Sequence, residues 1–277
     1  MIAIIAAKIK IPWNTIKLSK SFFFNIYSMN SSYNYDKYII EILYEDDHIA
    51  ILNKPSGLLT HRKNSNDVSP NLQESIQLKF DIDDDEELKE GIVHRLDKDT
   101  SGIIIITKNK LIKSLLKEKF KIRELKKNYI AYTFGVPQHS NIEIDKNIAR
   151  QKIHRTKFET SEMNGKNALT KISNIKNYFG SISKLDCEII TGRTHQIRVH
   201  LTSSGLPIIG DKNYIFNKEQ KFRLNNIPIK VREYLSNFPR QALHSSKLEF
   251  IHPISEKLIK ITCELPTDMK DLESILK

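Results

Sequence analysis

Two short polar segments gather the side chains able to do chemistry. The first, Gly91-Ile92-Val93-His94-Arg95-Leu96-Asp97-Lys98-Asp99-Thr100-Ser101-Gly102, has apolar ends and a densely charged middle. That is the composition of polar groups held at the mouth of a cleft by a rigid strand. The second, Thr191-Gly192-Arg193-Thr194-His195-Gln196-Ile197-Arg198-Val199-His200, places two arginines and two histidines on a turn and the helix after it. Only 10 of the 44 basic residues are Arg, yet Arg95, Arg193 and Arg198 all fall in these segments. A guanidinium is a planar, permanently charged fork that fits a carboxylate or a phosphate as Lys cannot. Together with Asp97 it could support nucleophilic or acid–base work by a charge-paired carboxylate. Spacing alone leaves a plainer reading open, in which Asp97 and Asp99 pair with Arg95 or cap a turn at the surface.

Other chemistries lack their signatures. There is no Gly-rich phosphate loop ending in Lys-Ser/Thr, and no GxGxxG after a strand. His195 and His200 stand five apart, about 140° around a helix axis, so they do not share a face as zinc-binding histidines do. No Ser or Cys occupies a nucleophile elbow. Cys187 and Cys263 are isolated in strand-like segments and read as reduced core thiols, which points to a reducing, cytoplasmic setting.

The elements that would position these segments follow from periodicity. Ile40–Tyr44 and His48–Leu52 alternate as strands around the turn-prone Glu45-Asp46-Asp47, and Lys54-Pro55-Ser56-Gly57 makes a tight turn. Leu72–Phe80 has helical spacing, and the acidic run 81–90 reads as a solvated loop expected to face away from any polyanion. Ile103–Thr107 is an apolar strand. Leu111–Phe120 is an amphipathic helix with apolar positions at 111, 112, 115, 116 and 120. Strands are expected at Tyr129–Phe134, Ala168–Ile175, Ser181–Ile190, Ala242–Phe250 and Leu258–Leu265. A helix spans His195–Ser203 with Thr194 as its N-cap, and a short helix ends the chain. Strands outnumber helices and short turns join neighbours, so the fold class is mixed α+β with a mainly antiparallel sheet and flanking helices.

Composition bounds the rest. With 277 residues and 39% hydrophobic content, the chain can bury a sizeable core, and no apolar run approaches a bilayer span. Lys+Arg minus Asp+Glu is 44 − 33 = +11, which suits a polyanionic partner but also reflects a lysine-rich composition. Residues 1–36 hold a single acidic residue, Asp36, and read as an N-terminal extension before a domain at 37–277. Met29 as the true start, a basic arm and an organellar presequence are all open for it.

The two segments also resemble a known family. His94-Arg95-Leu96-Asp97 followed by Thr100-Ser101-Gly102 is similar to the signature of the RluA family of pseudouridine synthases. So are Leu43-Tyr44-Glu45-Asp46-Asp47-His48 with Asn53-Lys54-Pro55-Ser56-Gly57, Lys127-Asn128-Tyr129, and the whole stretch Thr191–His200. Arg240-Gln241-Ala242-Leu243-His244 with His252-Pro253 resembles the family's closing hairpin. Order and spacing hold from about Glu41 to Asp268. The S4 RNA-binding module of some members is not recognisable.

The resemblance implies an isomerase that works without cofactor or metal, since pseudouridine has the same atoms as uridine, and a central RNA-binding cleft. It implies Asp97 as the catalytic carboxylate and Arg198 as its counter-charge. Tyr129 would stack on the uracil, Arg95 would help evert the nucleotide, and Leu96 and Ile197 would wall the pocket. Lys54, Arg123, Lys127, Arg193 and His195 are candidate phosphate contacts, while His94 and His200 would support the site by hydrogen bonding. Large-subunit ribosomal RNA is the expected partner, with transfer RNA as the alternative. A monomer without membrane association is expected. A non-catalytic RNA-binding or assembly protein on the same fold, and an RNA hydrolase with Asp97 as base, are the readings of other classes.

Overall fold

Alternation along two central strands sorts the core onto two faces. The computed structural model describes residues 31–62, 64, 66–83, 90–214 and 226–277. Strands β2 (Tyr38–Glu45), β3 (Ile49–Lys54) and β4 (Ser101–Thr107) pair antiparallel in order. Ala50, Leu52, Ile104 and Ile106 turn to one face, and Ile49, Ile51, Ile103 and Ile105 to the other. β4 is buried at every position, as expected of a strand covered on both sides. Helix α2 (Lys110–Lys121) covers the second face through Ile112 and Leu116. The first face is covered by α1 (Leu72–Lys79), α3 (Gln196–Ser203), α4 (Ile229–Ser236) and α5 (Thr267–Ile275).

The ten-stranded sheet is mixed and mainly antiparallel, running β1 (Ser31–Tyr35), β2, β3, β4, β11 (Leu243–Ile251), β5 (Lys126–Phe134), β10 (Ile182–Ile189), β9 (Leu169–Tyr178) and β6 (Asn141–Asp145), with β12 (Leu258–Thr262) attached to β11. Its centre is β11 (Leu243–Ile251), which pairs along one edge with β5 (Lys126–Phe134). The other edge of β11 is shared. His244 and Ser245 run parallel to Ser101 and Gly102 of β4, whereas Lys247–Ile251 pair antiparallel with β12 (Leu258–Thr262). β10 (Ile182–Ile189) and β9 (Leu169–Tyr178) extend the sheet beyond β5. The expected α+β class holds, and no helix among the described residues is long and apolar enough to cross a membrane.

Several local expectations are corrected. Ser31–Tyr35, assigned from sequence to the N-terminal extension, forms edge strand β1 against β2, and Tyr33 and Tyr35 pack on the core. Residues 1–30 lie outside the described residues, as do 84–89, most of the acidic run. Strands β6 (Asn141–Asp145), β7 (Asn147–Arg150) and β8 (Phe158–Ser161) were not expected, because they are short and largely polar. Thr194 does not cap α3. His195 holds the N-cap position in left-handed conformation (φ 55°) and makes no side-chain cap.

Gly102 sits where the loop from residue 94 enters the sheet. Its φ is 109°, and a Cβ there would lie 2.2 Å from the Ser245 carbonyl oxygen. Neither the conformation nor the space admits a side chain. Gly102→Ala is expected to lower stability by more than about 2 kcal/mol, read as a shifted urea midpoint with unchanged slope.

Candidate active site

The loop 94–100 is held by its backbone. The Lys98 carbonyl accepts from the Lys54 ammonium (3.0 Å) and the Gly57 N–H (2.9 Å), and Asp99 O accepts from the Ser56 hydroxyl (3.1 Å) and Arg240 Nη1 (3.0 Å). Thr60 Oγ1 donates to Leu96 O (2.7 Å) and accepts from Leu96 N–H (3.2 Å). Arg240 is itself clamped by a two-bond pair with Asp268, at 2.6 and 2.9 Å. At the start of the loop, His94 Nε2 accepts from the Ile105 N–H (3.0 Å), and burial holds its pKa down to about 3. These bonds tie the loop to the β3 turn, to β4 and to the entry of β11, so Asp97 is presented from a rigid base.

Arg198 arrives from α3 and divides its guanidinium between two carboxylates. Nε and Nη2 make a forked pair with Asp211 (2.7 and 2.9 Å), while Nη1 donates to Asp97 Oδ2 at 2.8 Å. Asp211 is fully buried, Arg198 nearly so, and the Asp97 side chain keeps 17% exposure. Burial works against the Arg198 charge, but the pairs with Asp211 and Asp97 outweigh it and raise its pKa. The fork to Asp211 fixes the plane of the guanidinium, so the third nitrogen can aim at Asp97 only. Asp211 also accepts from the N–H groups of Asn213 and Tyr214, an Asx-type turn that pins its own position.

The turn before α3 is stapled by Gln196. Its Oε1 accepts from the Thr191 hydroxyl (2.7 Å) and Arg193 N–H (3.0 Å), and its Nε2 donates to Leu169 O and Thr170 Oγ1 (3.0 Å each). His200, fully buried, links α3 to Thr170 Oγ1 (2.9 Å) and Lys146 O (3.0 Å).

Asp97 opens onto a cavity of about 530 Å³ lined by Leu96, Tyr129, Ile189, Ile197 and Leu243. Among the described residues, seven Lys and Arg line it as well (Arg95, Lys117, Lys121, Arg123, Lys127, Arg193 and Arg198), and Asp97 is the sole carboxylate of the lining. Tyr129 is 6% exposed, and burial, with Asp97 nearby, raises its pKa to about 12, so it is a neutral phenol at neutral pH. A cavity of this size suits one nucleobase with its ribose, and its basic walls suit the phosphates on either side.

Residues 48–203 match the family described as RNA pseudouridylate synthase. The ribosomal large subunit pseudouridine synthase D of Buchnera aphidicola subsp. Baizongia pistaciae is 34% identical over 254 residues, 90% of this chain and 76% of that protein. An uncharacterized RNA pseudouridine synthase of Bacillus subtilis, YhcT, is 36% identical over 84% of this chain and 71% of its own length. The chain belongs to the RNA pseudouridylate synthase family. Among solved structures, human RNA pseudouridylate synthase domain containing 4 superposes with a TM-score of 0.64 at 25% identity, covering 85% of this chain and 92% of that one. Human RNA pseudouridylate synthase domain containing 1 shares the fold at TM-score 0.63 and 23% identity, covering 85% and 87%.

Against this family background, the fold brings together Arg95, Leu96, Asp97, Arg123, Lys127, Tyr129, Arg193, His195, Ile197 and Arg198 around one cavity. Lys54 is the correction. It is fully buried, and its ammonium is spent on the carbonyls of Pro55, Leu58 and Lys98 (2.8, 2.8 and 3.0 Å), so it cannot reach a phosphate. Burial draws its pKa down to about 7. Lys127 is also largely covered, packed 5.2 Å over the Phe120 ring with its pKa lowered by burial to about 8. Arg95 and Arg123 are exposed at the rim.

Sequence reasoning did not find Asp211, Tyr214, Lys117 or Lys121. The Gly210-Asp211 turn, with Gly210 at φ 76°, was the signal available for the first two. Lys54→Met would take the Lys54 donor from the Pro55 and Leu58 carbonyls and leave the Lys98 carbonyl with the Gly57 N–H alone. Urea unfolding should record a loss of about 2–4 kcal/mol, while the folded fraction keeps its RNA affinity and salt dependence within about twofold.

Proposed function

We propose that the chain isomerises specific uridines in large-subunit ribosomal RNA, with Asp97 as the catalytic carboxylate. The observation that carries this reading is Asp97 facing a basic cavity while Arg198 Nη1 holds its Oδ2 at 2.8 Å. The names of the relatives in Buchnera and Bacillus support the reaction, and the former supports the target.

The reaction breaks the uracil N1–C1′ bond, turns the base and forms a C5–C1′ bond; the C5 proton leaves and N1 regains one. No redox change occurs. The carboxylate acts at C1′ or C2′ and must be ionised in a site that excludes water. Arg198 gives that carboxylate a fixed countercharge at 2.8 Å. Tyr129 holds the detached base by stacking, worth about 1–3 kcal/mol, with Leu96 and Ile197 keeping water away. Arg95, exposed two residues before Asp97, takes the place of the everted nucleotide in the RNA. Eversion costs a few kcal/mol and least in loops, so a stem-loop is the favoured substrate. Arg123, Lys127, Arg193 and the lysines of α2 bind phosphates along the rim. The chain acts in the cytoplasm, as a monomer.

Treating ribosomal RNA with the protein and then carbodiimide should create reverse-transcription stops that vanish with Asp97→Asn. Strand cleavage, or stops that survive the substitution, would overturn the assignment. Arg198→Lys, which loses the fork, should slow single turnover by at least about a hundredfold while RNA affinity changes less than about threefold. Equal loss of both would remove Arg198 from the chemistry. Asp211→Asn should act in the same sense, because it frees the guanidinium from its fixed plane.

A further inference from the structure

Arg198 does not approach Asp97 alone. His195 Nε2 lies 3.9 Å from Asp97 Oδ2, the same oxygen that receives Arg198 Nη1. Among the described residues both approaches fall on Oδ2, which leaves Oδ1 as the oxygen without a protein donor.

The other ring nitrogen is committed. His195 Nδ1 lies 2.8 Å from the Tyr214 hydroxyl, and that hydroxyl accepts the Phe158 backbone N–H at 3.0 Å. Among the described residues His195 Nδ1 is the one acceptor within reach of the phenol proton, which assigns the imidazole the accepting role there. The ring proton is then on Nε2, facing Asp97. Phe158 and Tyr214 pack edge-on against the imidazole at centroid distances of 5.4 and 5.7 Å, and fix its plane. Tyr214 is itself locked, since its N–H bonds Asp211 and the Arg198 guanidinium lies 5.0 Å over its ring.

A phosphate contact would want an imidazolium. Here burial, with Arg198 and Arg95 adding to it, lowers the His195 pKa against the pull of Asp97 and Asp211. The left-handed N-cap geometry at His195 (φ 55°) puts the ring inside the site at a conformational cost.

We infer that His195 is a positioning residue for the reaction: a neutral imidazole whose tautomer Tyr214 sets, donating from Nε2 to Asp97 Oδ2 so that Oδ1 is presented to the nucleotide. This rests on the reading of Asp97 as the catalytic carboxylate. When the RNA closes the cavity and expels water, the 3.9 Å approach shortens to a hydrogen bond.

The test combines a spectroscopic signature with rescue. Nitrogen-15 spectra of histidine-labelled protein at pH 7 should show His195 as the Nε2–H tautomer, and Tyr214→Phe should erase that preference. His195→Ala should slow single turnover on saturating substrate RNA by about ten- to a hundredfold, with RNA affinity changed less than about threefold. His195→Gln, whose amide nitrogen replaces Nε2, should recover most of the rate, and thermal melting confirms that each variant is folded. An imidazolium or Nδ1–H form in the wild type overturns the inference, as does a Gln variant as slow as Ala. A loss of affinity with the salt slope reduced by about one would make His195 a phosphate contact instead. If Asp97→Asn remained active, the parent reading would fail. If it were dead while His195→Ala kept the wild-type rate, only this inference would.

Discussion

One buried guanidinium serving two carboxylates is the constraint on which the rest of the structure depends. Arg198 gives two of its nitrogens to Asp211, which is fully buried, and a third to Asp97, which is not. Two negative charges and one positive leave a net deficit, so one carboxylate must keep some contact with water or with the RNA's surroundings. The division of exposure settles which. Asp211 is the fixed anchor, and Asp97 is the carboxylate that stays open to the cavity. A single Arg–Asp pair would leave the guanidinium free to rotate, whereas the fork on one side makes the single bond on the other directional. Removing the cation would leave two carboxylates facing each other in low dielectric, a far larger perturbation than losing one hydrogen bond.

The fold satisfies this constraint by converging three distant pieces of chain on one point. The loop before β4 brings Asp97, α3 brings Arg198, and the turn after Gly210 brings Asp211 and Tyr214. β11 makes the convergence possible because one of its edges is shared between two strands. Its first residues run beside β4 and locate the loop, while its later residues pair with β12. Along its other edge it meets β5, which sets Tyr129 beside the same cavity. Lys54 and Arg240 complete the frame from below, each spending its charge on loop carbonyls. These two buried cations serve as scaffolding for backbone turns.

Much of this was legible in the residues because it is local. The apolar run Ile103–Ile106, the alternation in β2 and β3, and the helical spacing of α2 each declare themselves within ten residues. The Asp97 and Arg198 segments were recognisable as wholes, so their meeting 101 positions apart could be expected. What stayed hidden depends on tertiary placement. Lys54 looks like any lysine before a Pro-Ser-Gly turn, and nothing local says that three carbonyls close around it. Asp211 stands in an unremarkable Gly-Asp-Lys-Asn-Tyr stretch whose function exists only once α3 packs against it. Thr194 is the better cap by residue type, but the staple made by Gln196 places the helix start one residue later and forces His195 into left-handed geometry. The short strands β6 to β8 have too few apolar positions to show a period.

The way the Asp97 loop is fastened has a consequence for how such an enzyme can change its target. Nearly every bond that fixes residues 96–99 ends on a main-chain atom, which any amino acid supplies. The outward side chains of Arg95 and Lys98 carry none of those bonds and are exposed. Substitution at Lys98, which the proposed reaction does not use, can therefore redraw the surface offered to RNA while the Asp97 carboxylate stays where it is. The surface at Lys98 and the placement of Asp97 are mechanically uncoupled although the two residues are neighbours, and divergence of one need not erode the other.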